Sequence, residues 1–146
     1  MKSRVALISL SLLVCSAAVP CRAEFKEGLE AFRKGQYAKA LEHLAPAAMR
    51  NEPQAQVILG HLYEHGRGVE QDLKTAASWY LRAAKNGSAP GQCRIGEMYQ
   101  QGRGVATDVE RGAKWLMSAA KDDYTRAMHE IAVVLRDGRG MARNEK

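Results

Sequence analysis

Few side chains in this sequence have the type and spacing that chemistry requires. His61 and His65 stand four apart with Glu64 between them, and two histidines at that spacing on a helix are able to share a metal ion. The run His61-Leu62-Tyr63-Glu64-His65 departs from the His-Glu-x-x-His order of zinc peptidases. Two exposed histidines are therefore expected, with no metal and no other cofactor. Ser118 and Lys121 have the Ser-x-x-Lys spacing of serine β-lactamases, but no companion motif accompanies them. The sequence holds no nucleophile elbow, phosphate loop or cofactor fingerprint. A non-catalytic protein is expected.

Charge and targeting narrow the classes further. The formal net charge is +6, of which Lys2, Arg4 and Arg22 in the acid-free residues 1–23 supply +3. The rest carries 19 bases against 16 acids, again +3. That bias is too thin for a nucleic-acid partner, which needs a concentrated basic stripe. Residues 1–23 have a basic start, an apolar run from Val5 to Cys15 and small residues before Ala23. This is the layout of a secretory signal peptide, with cleavage expected after Ala23. The run of about 11 residues is short of the roughly 20 that span a bilayer, which argues against an uncleaved anchor. A lipoprotein attached at Cys15 is the other alternative, disfavoured by the bulky Val14. The mature chain is expected in the periplasm or outside the cell, without a transmembrane segment. It would keep only Cys93, so no internal disulfide is available. A monomer is expected, with a Cys93-linked dimer as the alternative.

A repeat organises the remainder. The segment Ala55 to Val69 returns 36 residues later as Gly91 to Val105, and 36 later again as Ala127 to Met141. Gly60, Gly96 and Ala132 coincide, as do Arg67, Arg103 and Arg139 inside their Gly-x-Gly loops. Asp72, Asp108 and Asn144 fall in register, and so do Trp79 and Trp115. Such self-similarity marks a stack of supersecondary units.

Each unit reads as two helices. Ala55, Leu59, Leu62 and Tyr63 share one face of the first. Gly66 and Gly68 end it, because glycine accepts the left-handed conformation that closes a helix. Asp72 is the expected N-cap of the second helix, in which Ala76, Trp79, Tyr80 and Ala83 form the apolar stripe. Asn86-Gly87 stops that helix, and Pro90 suits the opening turn of the next. The recurring small residues are expected where helix backbones approach closely. Ahead of these units lies a shorter one, with helices expected over 24–34 and 37–49. The last helix is expected over 127–137.

These residues closely resemble the Sel1-like repeat of the tetratricopeptide superfamily. Leu59-Gly60-x-x-Tyr63, Gly66-Arg67-Gly68-Val69, Asp72, Ala76-x-x-Trp79-Tyr80 and Ala83-Ala84 match its pattern. Ile95-Gly96-x-x-Tyr99, Gly102-Arg103-Gly104-Val105, Asp108 and Trp115-Leu116 match it again. The opening unit, with Gly35-x-Tyr37-x-x-Ala40, is more similar to a plain tetratricopeptide repeat. The expected organisation is a signal peptide over 1–23, a tetratricopeptide-like repeat over 24–52, Sel1-like repeats over 53–88 and 89–124, and a partial repeat over 125–146. Departures are Gly112 at the place of Ala76, Asp123 at the place of Gly87, and a fourth unit that stops at Lys146 where its second helix should begin. The resemblance implies an all-α, right-handed α/α superhelical solenoid whose first helices line a concave surface. It also implies an adaptor, and for exported bacterial members contact with cell-surface, envelope or signalling proteins.

The stripe opposite the core on each first helix is then the candidate groove for a protein or peptide partner. At about 100° per residue it comprises Val57, His61 and Glu64, then Cys93, Glu97 and Gln100, then His129, Val133 and Arg136. Lys26, Glu30 and Arg33 are its members in the opening unit. Arg67, Arg103 and Arg139 form a candidate basic ridge. The expected function is an exported scaffold for protein–protein interaction. One alternative is an envelope regulator that binds a sensor protein or an exopolysaccharide assembly. A remote one is a β-lactam-active enzyme, since cysteine-rich members of the family have been linked to β-lactams, although their regular disulfide pairs are missing here.

Overall fold

The computed structural model describes residues 21–138, which form seven helices and no strand. These are α1 (Cys21–Arg33), α2 (Tyr37–Met49), α3 (Pro53–His65), α4 (Leu73–Lys85), α5 (Ala89–Gln101), α6 (Val109–Lys121) and α7 (Thr125–Arg136). Each helix packs on the next along the chain, and α3 also touches α5. The result is an all-α repeat solenoid in which α1, α3, α5 and α7 are the first helices of successive units. Residues 1–20 of the expected targeting segment lie outside the described residues, as do Arg139, Gly140, Met141 and Asn144. Helix α1 begins at Cys21, ahead of the expected start at Glu24, and α7 begins at Thr125 instead of Ala127.

The helix ends follow from local chemistry. Asp72 accepts hydrogen bonds from the N–H groups of Lys74 and Thr75, and Asp108 from that of Arg111. Each satisfies donors that the first turn leaves free. Ser88 caps α5 in the same way through Gly91 N–H. Gly66 and Gly102 close α3 and α5 in the left-handed conformation, with φ of 61° and 66°. Asn51, Gly87 and Asp123, each 36 residues apart, all have positive φ. Asp123 therefore occupies a backbone position that only glycine takes without steric cost.

Close approach within each unit explains the small residues. A Cβ on Gly60 would stand 2.6 Å from the Tyr80 ring, and one on Gly96 would stand 2.9 Å from Leu116. Gly28 plays the same part against Leu44 at 2.6 Å. The three facing residues, Leu44, Tyr80 and Leu116, are again 36 apart and all but completely buried.

Two further devices join one unit to the next. Gln56 is fully buried and its Nε2 donates to Ala48 O at 2.9 Å. Gln92 repeats this on Ala84 O at 3.3 Å. Gln56 Oε1 in turn accepts from Asn86 Nδ2 at 3.0 Å. At the following junction the place of Asn86 is held by Asp122, a carboxylate with no proton to donate, and Gln92 Oε1 is buried without a protein partner. The second device is the Gly-Arg-Gly loop. Gly68 lies against the backbone of Tyr37 and Ala38, and Gly104 against that of Leu73 and Lys74. Each loop thus rests on the first turn of the preceding unit's second helix, with no room for a side chain.

Candidate functional site

The helices α1, α3, α5 and α7 carry the twelve groove residues named from the sequence, and they differ in exposure. His129 and Arg136 are exposed on α7, with Val133 half-buried beside them. Val57 and His61 on α3, and Glu97 and Gln100 on α5, are half-buried and reach this surface. Glu64 and Cys93 do not line an open groove: they are 4% and 0% exposed. Lys26, Glu30 and Arg33 are exposed. With Gly28 aligned on Gly60, however, Lys26 and Glu30 correspond to Ile58 and Leu62, which are buried on α3. Lys26 and Glu30 therefore stand on α1 at places that α3 buries, and Arg33 stands at the place of His65.

Glu64 is buried because it is paired. Its Oε2 accepts from the Tyr80 hydroxyl at 2.8 Å and its Oε1 faces Arg103 Nη1 at 3.2 Å. A buried carboxylate needs such partners. Burial, and then the bond to Glu64, raise the Tyr80 hydroxyl pKa well beyond the usual phenol range. Arg103 reaches back from the loop after α5 to a carboxylate of the preceding unit. Arg67 reaches back in the same sense, its guanidinium 5.3 Å from the centre of the Tyr37 ring and 3.4 Å from its hydroxyl. These arginines are ties between units, and Arg139, the third member of the candidate ridge, lies outside the described residues.

Glu97 is the hub of a second cluster. Arg126 on α7 grips it with two hydrogen bonds, Nε to Oε1 at 2.8 Å and Nη2 to Oε2 at 3.3 Å. Arg94, one turn earlier on α5, adds Nη1 to Oε2 at 3.2 Å. The bond to Glu97 raises the Arg126 pKa further. The Cys93 thiol donates to Glu97 Oε1 at 3.5 Å. Burial and the neighbouring Glu97 push that thiol up to about 12. Cys93 is therefore a protonated core residue among Ala113, Leu116, Ala127 and Val134. Buried in that core, it is out of reach for the intermolecular disulfide considered from the sequence.

The sequence reading missed Arg94, Arg126 and a cleft. The cleft, of about 560 Å³, opens between the N-terminal ends of α3 and α5. Pro53, Val57, Ile58 and Pro90 supply its apolar wall, and Glu52, Gln54, Asn86 and Ser88 its polar rim. The signal for it lay in the register: Val57 leads to His61 one turn on, and Pro90 leads to Arg94. On the other side of His61, the Phe32 ring meets it edge-on with centroids 5.8 Å apart, and His65 lies at 4.3 Å. Burial, then His65, Arg67 and Arg94, lower the His61 pKa below the ordinary histidine value. No described helix is long and apolar enough to cross a membrane.

This architecture agrees with what comparison finds. The Sel1 repeat model matches residues 25–52, 53–88 and 89–124, and the chain belongs to the Sel1 repeat family. The unit at 25–52, similar by sequence to a plain tetratricopeptide repeat, is matched as a Sel1 repeat as well. A Sel1 repeat protein from Oxalobacter formigenes has a similar structure, with 31% identity and a TM-score of 0.77, covering 82% of this chain and 49% of that one. A protective antigen present in uropathogenic Escherichia coli strains is similar at 31% identity and a TM-score of 0.79, over 86% of this chain and 28% of that one. Helicobacter pylori cysteine rich protein B shares the fold at 20% identity and a TM-score of 0.61, over 75% of this chain and 92% of that one. A chitin synthase regulator of Saccharomyces cerevisiae is 40% identical over 48 residues, which are 33% of this chain and 7% of the yeast protein. The chain thus spans about half or less of the length of the first two structures and a small part of the yeast protein. Sel1-repeat proteins are helical scaffolds generally involved in protein–protein interaction, and the family is generally non-catalytic.

Proposed function

We propose that this chain is an exported, non-catalytic scaffold that holds a segment of a protein partner along the surface of α1, α3, α5 and α7, in the periplasm or outside the cell. The observation that carries the reading is the cleft between α3 and α5 set beside the Arg94–Glu97–Arg126 cluster. An apolar recess receives a partner side chain, and charges already fixed by ion pairs orient the rest at little further ordering cost. Val57 is the residue to change, because it lines the recess and is only half-buried. Glu64 is unsuited as a probe, since reversing its charge would set it against Arg103 and leave the Tyr80 hydroxyl unpaired.

The test is a crosslinking pull-down from the source envelope and culture medium with Val57→Arg as the control. A protein captured by the wild type and lost with a Val57→Arg sample of unchanged melting curve supports the reading. Capture that survives Val57→Arg overturns the assignment of the surface. A second reading, regulation of an envelope polysaccharide assembly, draws on the name of the yeast relative, a chitin synthase regulator. A glycan-synthesising complex among the captured proteins would favour it.

A further inference from the structure

We propose that His61 and His65 form a two-nitrogen site for a nitrogen-seeking divalent transition ion, Cu2+ above all. The two side chains are one turn apart on α3, so they project from the same face. Their ring centroids are 4.3 Å apart and the rings are tilted by 34°, which brings one pair of edges closer than the centres. Two imidazole nitrogens in neighbouring positions of a square-planar ion, at roughly 2.0–2.1 Å from it, stand about 2.9 Å apart. Binding therefore requires the two rings to turn until a nitrogen of each meets the ion.

The ring of His65 is already set for this. Its Nδ1 lies 3.0 Å from His61 O. A carbonyl only accepts, so Nδ1 carries the proton and Nε2 carries the free lone pair. A backbone carbonyl on one imidazole nitrogen is the arrangement that orients metal-binding histidines through the other. The His61 ring makes no hydrogen bond to any described residue, and its Nδ1 is buried without a partner.

The surroundings select the ion. Phe32 of α1 closes one side of His61. Mg2+ and Ca2+ need several carboxylate or carbonyl oxygens, which a pair of imidazoles does not supply. An ion held by its affinity for imidazole fits such a pair, and among divalent ions Cu2+ has the greatest such affinity. Among the described residues no third histidine, cysteine or carboxylate completes the set. The remaining coordination positions are left to water or to a donor on another molecule.

The test is titration of the untagged protein with Cu2+, followed by electron paramagnetic resonance and calorimetry, beside His65→Ala, His61→Ala and His129→Ala. The expected result is one equivalent bound with a two-nitrogen signature, lost in His65→Ala and in His61→Ala and kept in His129→Ala. Mg2+ and Ca2+ give no heat. His65 is exposed, so its variant folds as the wild type does, and a melting curve checks this. Absence of a one-equivalent site in the wild type, or a two-nitrogen signature that persists in His65→Ala, overturns the proposal.

Discussion

Replacing Gly60 by alanine sets two effects against each other, and the structure decides which wins. In an open helix the change is favourable by about 1 kcal/mol, the difference in helix propensity. Here the new Cβ would meet three atoms of the Tyr80 ring at 2.6–3.0 Å. A flexible neighbour would swing aside, but Tyr80 is 0% exposed and its hydroxyl is held 2.8 Å from Glu64. The ring must therefore either stay under strain or give up a hydrogen bond to a buried carboxylate. Overpacking costs about 1–3 kcal/mol, and loss of a hydrogen bond to a charged group costs about 1.5–3 kcal/mol. Set against the gain in propensity, the net expectation is a loss of about 1 kcal/mol, read as a fall in Tm of roughly 3–6 °C for an array of this size. Gly28→Ala should lose less, because its obstacle is Leu44, an apolar side chain with no polar group to hold it. Thermal and urea unfolding of both variants measure this. A Gly60→Ala protein that melts at or above the wild-type temperature would refute the close-approach argument for this glycine.

Asp122→Asn should stabilise the array by about 0.5–1.5 kcal/mol, since the new amide supplies Gln92 Oε1 with the donor that Asn86 gives Gln56. Urea unfolding reads it, and an unchanged midpoint would mean that Gln92 is already satisfied another way. Native Cys93 should react with a thiol reagent at neutral pH only at the rate at which α7 leaves α5. Arg126→Ala, which removes the two-bond grip on Glu97, should raise that rate several-fold. A fast stoichiometric reaction of the native wild type would contradict the buried, protonated thiol.

Much of the fold was legible because it rests on short-range chemistry that repeats. Asp72 and Asp108 act as caps, Gly66 and Gly102 end helices, and Gly60 and Gly96 face large side chains, as the 36-residue register leads one to expect. The site was less legible, for two physical reasons. Angular position on a helix fixes which residues share a stripe but not which stripe a neighbour covers. Glu64 and Cys93 point toward the stripe and are nonetheless sealed, one by Arg103 arriving from the next loop and one by α7. The opening unit was misaligned because its loop is shorter. Gly28, whose role appears only once Leu44 is seen against it, is the residue that sets its register. Arg126 was invisible for a similar reason, because its counterpart 36 residues earlier is Pro90 and periodicity alone gives it no partner.

The seating of Gly68 and Gly104 on the backbone of the preceding unit bears on how such a protein is able to change. The relative placement of neighbouring units is held there by main chain against main chain, with Tyr37, Ala38, Leu73 and Lys74 contributing chiefly their peptide groups. Peptide groups are the same whatever the sequence, so the angle from one unit to the next is insulated from drift in the residues that face a partner. A lineage is thereby free to exchange Val57, His61 or Arg94 and alter what is recognised while the curvature of the array stays constant. Specificity and shape are then inherited as separate traits, the first written in the exposed side chains and the second in a pair of glycines.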